Sequence, residues 1–145
     1  FRASDHTTPS LTTGKFLIAD GCTQANSVVW SQTVQVQPYT DYVFSMWGVS
    51  VTTSSPAQLK VYMNGLPQEG QLALPSVAGQ WKQMLFKWNS GSKSQVEITI
   101  RNQRGEASGN DFGVDDIWDI ENKLAKVADD QYAELTIDDF KIIFN

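Results

Sequence analysis

Residues able to do chemistry are few in this chain, and their types favour holding a ligand over breaking a bond. The lone histidine, His6, stands near the start of the sequence and reads as a turn or surface residue. A nucleophile triad needs such a base fixed deep within a constellation of partners. The single cysteine, Cys22, makes neither an internal disulfide nor, alone, a zinc site, and reads as a small, partly buried residue. Glu97, Glu106 and Asp111 are carboxylates, yet nothing in their spacing selects a pair set across a cleft. Neither a Gly-rich phosphate loop nor a metal-spaced histidine cluster occurs. The expectation is a protein that is not an enzyme.

Aromatic side chains are better supplied, with five tryptophans and four tyrosines. Flat rings exposed on a sheet face stack on the C–H faces of sugar rings, while neighbouring polar side chains bond the hydroxyls. Trp47 and Tyr62 are the first choices for such a face, because they lie on the alternating sets opposite Phe44 and Val61. Lys60, Asn64, Glu97, Arg101 and Gln103 could supply polar contacts near Tyr62 if their strands are neighbours, although residues of these types ordinarily form a solvated face. Trp47 has a rival reading as a core residue, since Val43, Val49 and Val51 share its parity. Trp30, Trp81 and Trp88 read as packed, Trp30 because it shares parity with Val28, Val34 and Val36 and Trp88 because it shares parity with Met84 and Phe86, and Trp118 reads as either.

The elements that must position these residues read almost entirely as strands. Segments rich in Val, Ile, Thr, Tyr, Phe and Trp recur between clusters of Gly, Pro, Ser and Asn. They are Lys15 to Asp20, Val28 to Val36, Asp41 to Val51, Gln58 to Asn64, Trp81 to Trp88, Gln95 to Arg101 and Asp111 to Ile117. Leu59, Val61 and Met63 alternate with Lys60, Tyr62 and Asn64, and Val96, Ile98 and Ile100 with Glu97, Thr99 and Arg101. One face of each strand is buried and the other wet, the pattern of two packed sheets. Asn64-Gly65 is the strongest hairpin signal, as both residues tolerate positive φ.

Residues 119 to 131 have a helical pattern, with Ile120, Leu124 and Val127 on one face, and Ala133 to Phe144 returns to strand character. The organisation predicted is a sandwich domain over residues 1–118 and a helix-plus-strand extension over 119–145 that packs on it or completes it. A length of 145 residues suits one domain with one core. The net charge of -5 and pI near 4.7 oppose nucleic-acid binding. No apolar run approaches the roughly 20 residues a membrane-spanning helix needs. Because the chain starts with Phe1, it reads as a mature product or an excised fragment.

Three segments together resemble a family. They are Asp5-His6-Thr7-Thr8 running on to Gly14-Lys15-Phe16-Leu17-Ile18-Ala19-Asp20-Gly21 and Val29-Trp30-Ser31-Gln32-Thr33-Val34; Thr40-Asp41-Tyr42-Val43-Phe44-Ser45-Met46-Trp47; and Ser108-Gly109-Asn110-Asp111-Phe112-Gly113-Val114-Asp115-Asp116-Ile117. They look like the galactose-binding-like, carbohydrate-binding modules of bacterial surface and polysaccharide-degrading proteins, with a kinship to MAM domains. The likeness runs through about residues 5 to 117. Two departures stand out: the family's opening-strand signature with its glutamate is missing, and the chain continues for 28 residues past Ile117.

The resemblance implies an all-β fold, a jelly-roll sandwich of two antiparallel sheets. It also implies a structural calcium at the closing strand, for which Asp115 and Asp116 are the matching positions. Adjacent strand residues point to opposite faces, so at most one of the two is expected to reach a given ion. Asn110 and Asp111 read as turn formers. The function implied is a non-catalytic module of a secreted or cell-surface protein that binds polysaccharide or a cell-surface glycan. Two other classes stay open: a structural or adhesive repeat of a large surface protein, and a protein-interaction module that uses the terminal strand.

Overall fold

The computed structural model describes residues 5–7, 14–106 and 108–117. The helix expected over 119–131, the strand over 133–144, Trp118 and the proposed extension lie outside the described residues. Nine strands follow in order: β1 Leu17–Ala19, β2 Ser27–Gln35, β3 Asp41–Ser50, β4 Gln58–Met63, β5 Leu66–Pro67, β6 Leu72–Ala73, β7 Trp81–Asn89, β8 Gln95–Asn102 and β9 Phe112–Asp115. Each of the seven predicted strands is present, with no end shifted by more than two residues. The two-residue β5 and β6 are additions that hydropathy alternation is too short to mark.

The strands form two antiparallel sheets, ordered β1-β9-β3-β7 and β2-β8-β4-β5, with β6 also paired to β4. This is a jelly-roll sandwich, as expected. The core between the sheets takes alternate side chains of each strand. Tyr42, Phe44, Met46, Phe112 and Val114 come from the four-stranded sheet, and Val34, Leu59, Val61, Met63, Val96, Ile98 and Ile100 from the other. Burying one such side chain is worth roughly 1.5–3 kcal/mol, so a one-residue slip of any central strand would cost several of these at once. Asn64 and Gly65, both at positive φ, make the tight turn that joins β4 to β5.

A bulge in β2 corrects one parity argument. The register against β8 slips between Val28 and Trp30, so Trp30 packs on the core while Val28 is 58% exposed on the outer face. Trp88 packs on the core beside Tyr42, as expected. Trp81 is only partly buried, and its ring belongs to the outer face of the four-stranded sheet.

Candidate functional site

The outer face of the five-stranded sheet carries a polar field with one aromatic ring in it. Antiparallel register sets Val28, Arg101 and Lys60 in one row across β2, β8 and β4, and Ser31, Thr99 and Tyr62 in the next. The alternation that buries Val61 and Ile100 turns Tyr62, Lys60 and Arg101 outward. The Arg101 guanidinium carbon lies 4.7 Å from the centroid of the Tyr62 ring, a cation–π contact. The Tyr62 hydroxyl donates to Oδ1 of Asn26 at 3.3 Å, and Gln103 Nε2 donates to the same oxygen at 3.0 Å. Asn26 itself sits at positive φ just before β2, a turn conformation that Asn tolerates.

Asn64 belongs to the same sheet but is tied to its backbone. Its Oδ1 accepts the Glu97 N–H at 2.9 Å and its own N–H donates to the Glu97 carbonyl at 2.8 Å. Glu97 lies two residues along β8 from Thr99 and accepts a bond from the Ser31 hydroxyl at 3.3 Å.

Trp47 points outward too, but from the other sheet, paired with Gln83 and Asp115. Its outer face and that of Tyr62 look in opposite directions, so the two rings do not form one platform. Nor does Trp47 stand free. The His6 imidazole stacks on it with ring centroids 3.7 Å apart and planes 22° from parallel, and meets the Trp81 ring at its edge. Phe16 packs edge-on against Trp81 and lies over Gly113, where a Cβ would come within 2.6 Å of the Phe16 ring. The parity Trp47 shares with Val43 and Val49 therefore marks a second apolar layer, for both valines are buried on this outer face.

His6 is the residue that its sequence position misrepresents. Its side chain is only 16% exposed, because the segment around it is clasped to the end of β9. A carboxylate can only accept, so the proton sits on Nδ1, which donates to Asp116 Oδ2 at 2.8 Å. The His6 backbone N–H donates to Asp115 Oδ2 at 2.9 Å, and the Thr7 hydroxyl also donates to Asp116 Oδ2. Asp5 closes the segment on itself by accepting the Lys15 N–H at 2.9 Å. Among the described residues no serine or cysteine side chain bonds the imidazole.

Both aspartates reach the same segment, contrary to strict alternation, because the strand stops at Asp115 and Asp116 adopts a φ of 46°. Asp115 is held above the usual carboxylate range by burial, with the Asp116 and Asp5 charges adding to it and the two N–H donors working against it. Calcium fits this arrangement poorly. Asp115 Oδ1 accepts the Asp116 N–H at 2.8 Å, and the oxygens facing His6 are taken by N–H and O–H donors. Among the described residues no group of three or more His, Cys, Asp or Glu side chains is placed to hold a metal ion.

Asn110 and Asp111 are turn formers with buried work to do: Asn110 Oδ1 accepts from Asn102 Nδ2 at 2.8 Å, and Asp111 Oδ1 from the Gly21 N–H at 2.7 Å. Cys22 is exposed, not partly buried. One exposed ring escaped the sequence reading. Tyr39 is 76% exposed at the tip of the β2–β3 turn, at a φ of 53°. The Pro38-Tyr39-Thr40 turn was the available signal.

Among the described residues no helix is long and apolar enough to cross a membrane. No protein-family model matches the sequence, and no curated protein matches it. Solved structures do share its shape. The C-terminal domain of EclA, described as a sugar-binding protein, superposes with a TM-score of 0.62 at 16% identity, over 72% of this chain and 76% of that one. The CBM22-1 xylan-binding domain of Paenibacillus barcinonensis Xyn10C gives 0.53 at 18% identity, over 78% and 74%. At such identities the likeness is one of architecture, and the chain is similar to these modules in its jelly-roll fold.

Proposed function

We propose that the chain is a non-catalytic carbohydrate-binding module of a secreted or cell-surface protein, and that it takes polysaccharide on the outer face of the five-stranded sheet. The observation that carries this reading is the Tyr62 ring, set on the outer face among Arg101, Lys60, Asn26 and Gln103. A ring face with amide and guanidinium donors around it is the combination that stacks on a sugar and bonds its hydroxyls. The shared fold with the sugar-binding domain of EclA and the xylan-binding domain supports the same conclusion. Trp47 belongs to the other sheet, where it forms part of the His6 clasp, and is not assigned to this ligand face.

Retention of the folded protein on immobilised polysaccharides tests the proposal. Tyr62→Ala is expected to lower affinity about tenfold or more, through loss of a stacking contact worth about 0.5–1.5 kcal/mol and of the Arg101 arrangement resting on it. Tyr62→Phe, which keeps the ring and loses only the bond to Asn26, is expected to stay within a few-fold of the wild type. Equal retention of wild type and Tyr62→Ala would move the binding face elsewhere.

A further inference from the structure

Two cations on this face have no acidic partner among the described residues. Arg104 pairs with Glu106 at 3.0 Å, Lys87 with Asp41 at 3.6 Å, and the Lys82 ammonium donates to the Ala73 carbonyl at 3.0 Å. Lys60 and Arg101 are direct cross-strand partners, yet neither makes an ion pair among the described residues. Arg101 Nε is buried without a hydrogen-bond partner, while its guanidinium rests over Tyr62. Glu97, the nearest acid on the same strand and face, is four residues away, about 13 Å along an extended chain. Two adjacent like charges repel across a sheet. Their placement side by side in a chain of net charge -5 runs against the overall electrostatics and calls for an anion between them.

We infer that the sugar bound at Tyr62 carries an anionic group, a uronate carboxylate or a sulfate ester, which lies between Arg101 and Lys60 while the ring stacks on Tyr62. The inference rests on the reading of this face as the sugar-binding surface. Arginine offers a planar fork that matches a carboxylate or sulfate through two parallel N–H bonds, and lysine adds a point charge. With the guanidinium already held over the Tyr62 ring, less side-chain freedom remains to be lost on binding. The net acidity of the chain then works as a filter, since only an anionic chain that presents its charge at this spot overcomes the general repulsion.

The test compares matched polysaccharides by affinity electrophoresis and calorimetry. Polygalacturonate is set against its fully methyl-esterified form, glucuronoxylan against unsubstituted xylan, and dextran sulfate against dextran. At least one anionic member should bind tenfold or more tightly than its neutral counterpart, with affinity falling as salt rises from 50 to 500 mM and the Debye length shrinks from about 14 Å to about 4 Å. Arg101→Gln should erase the difference, Lys60→Gln should reduce it several-fold, and Arg101→Lys should fall between them by losing the fork. Each variant is checked for an unchanged melting temperature. Preference for the uronates over dextran sulfate identifies a carboxylate; the reverse identifies a sulfate.

Neutral glycans bound as well as anionic ones, or anionic binding untouched in Arg101→Gln, would overturn the inference and leave the sugar-binding reading standing. Binding to none of the six would overturn both.

Discussion

The imidazole of His6 lies on the indole of Trp47 with ring centroids 3.7 Å apart, while its Nδ1–H bonds Asp116 on the far side of the sequence. One side chain thereby joins the start of the domain, its central strand and its closing strand. His6→Ala removes a stacked pair and a charge-assisted hydrogen bond, and is expected to destabilise the fold by about 1 to 2 kcal/mol. Trp47→Ala should cost about 2 to 3 kcal/mol, below the full price of a buried tryptophan because the ring is only partly covered. Chemical denaturation of both variants checks this, and a Trp47→Ala protein as stable as the wild type would refute the clasp.

Asp115 gives the fold a distinctive response to acid. Its carboxyl titrates above the ordinary value of 3.8 in the folded protein, chiefly through burial. Between those two values the folded chain holds more protons than the unfolded one, so this group's contribution to stability falls as pH rises through the window. Asp115→Asn abolishes the titration. Relative to the variant, the wild type should lose stability as pH climbs from 3.8 and then hold a constant difference at higher pH. Paired thermal melts between pH 3 and 7 read the difference directly, and a difference that is flat throughout, or opposite in sign, contradicts the assignment.

Chelation separates the clasp from a metal site. With the Asp115 and Asp116 oxygens engaged by His6, Thr7 and backbone N–H groups, EDTA should leave the melting temperature unchanged, and added calcium should not raise it. A calcium-dependent rise of several degrees, the size expected of a bound ligand well above its Kd, would mean that these carboxylates rearrange to ligate the ion.

The strands were legible because each has an alternating apolar set that no other element would accommodate. Leu59, Val61 and Met63 are the plainest case. Parity turns Tyr62 outward but leaves Trp47 open between the outer face and the core, since it shares its parity with Val43 and Val49, and it carries no information on which sheet a strand joins, so it cannot separate the two rings onto opposite faces. Val28 and Trp30 share a parity yet face opposite ways, because a bulge is a one-residue shift without a fixed residue signature here. His6 was misread because its partners lie 109 and 110 residues away. Contacts of that span leave no mark on local composition. Asp116 escaped the alternation rule for a local reason, a left-handed turn that a non-glycine residue adopts only rarely.

The pairing of β1 with β9 has a mechanical consequence. Leu17 faces Val114 and Ala19 faces Phe112, so the ends through which the chain enters β1 and leaves β9 lie at the same side of the pair. Tension drawn between those ends pulls across the strands, along the hydrogen bonds, and opens them one after another as a zipper opens. The bonds from His6 to Asp115 and Asp116 stand at the mouth of that zipper, so a pull meets the clasp before it meets the first rung of the sheet.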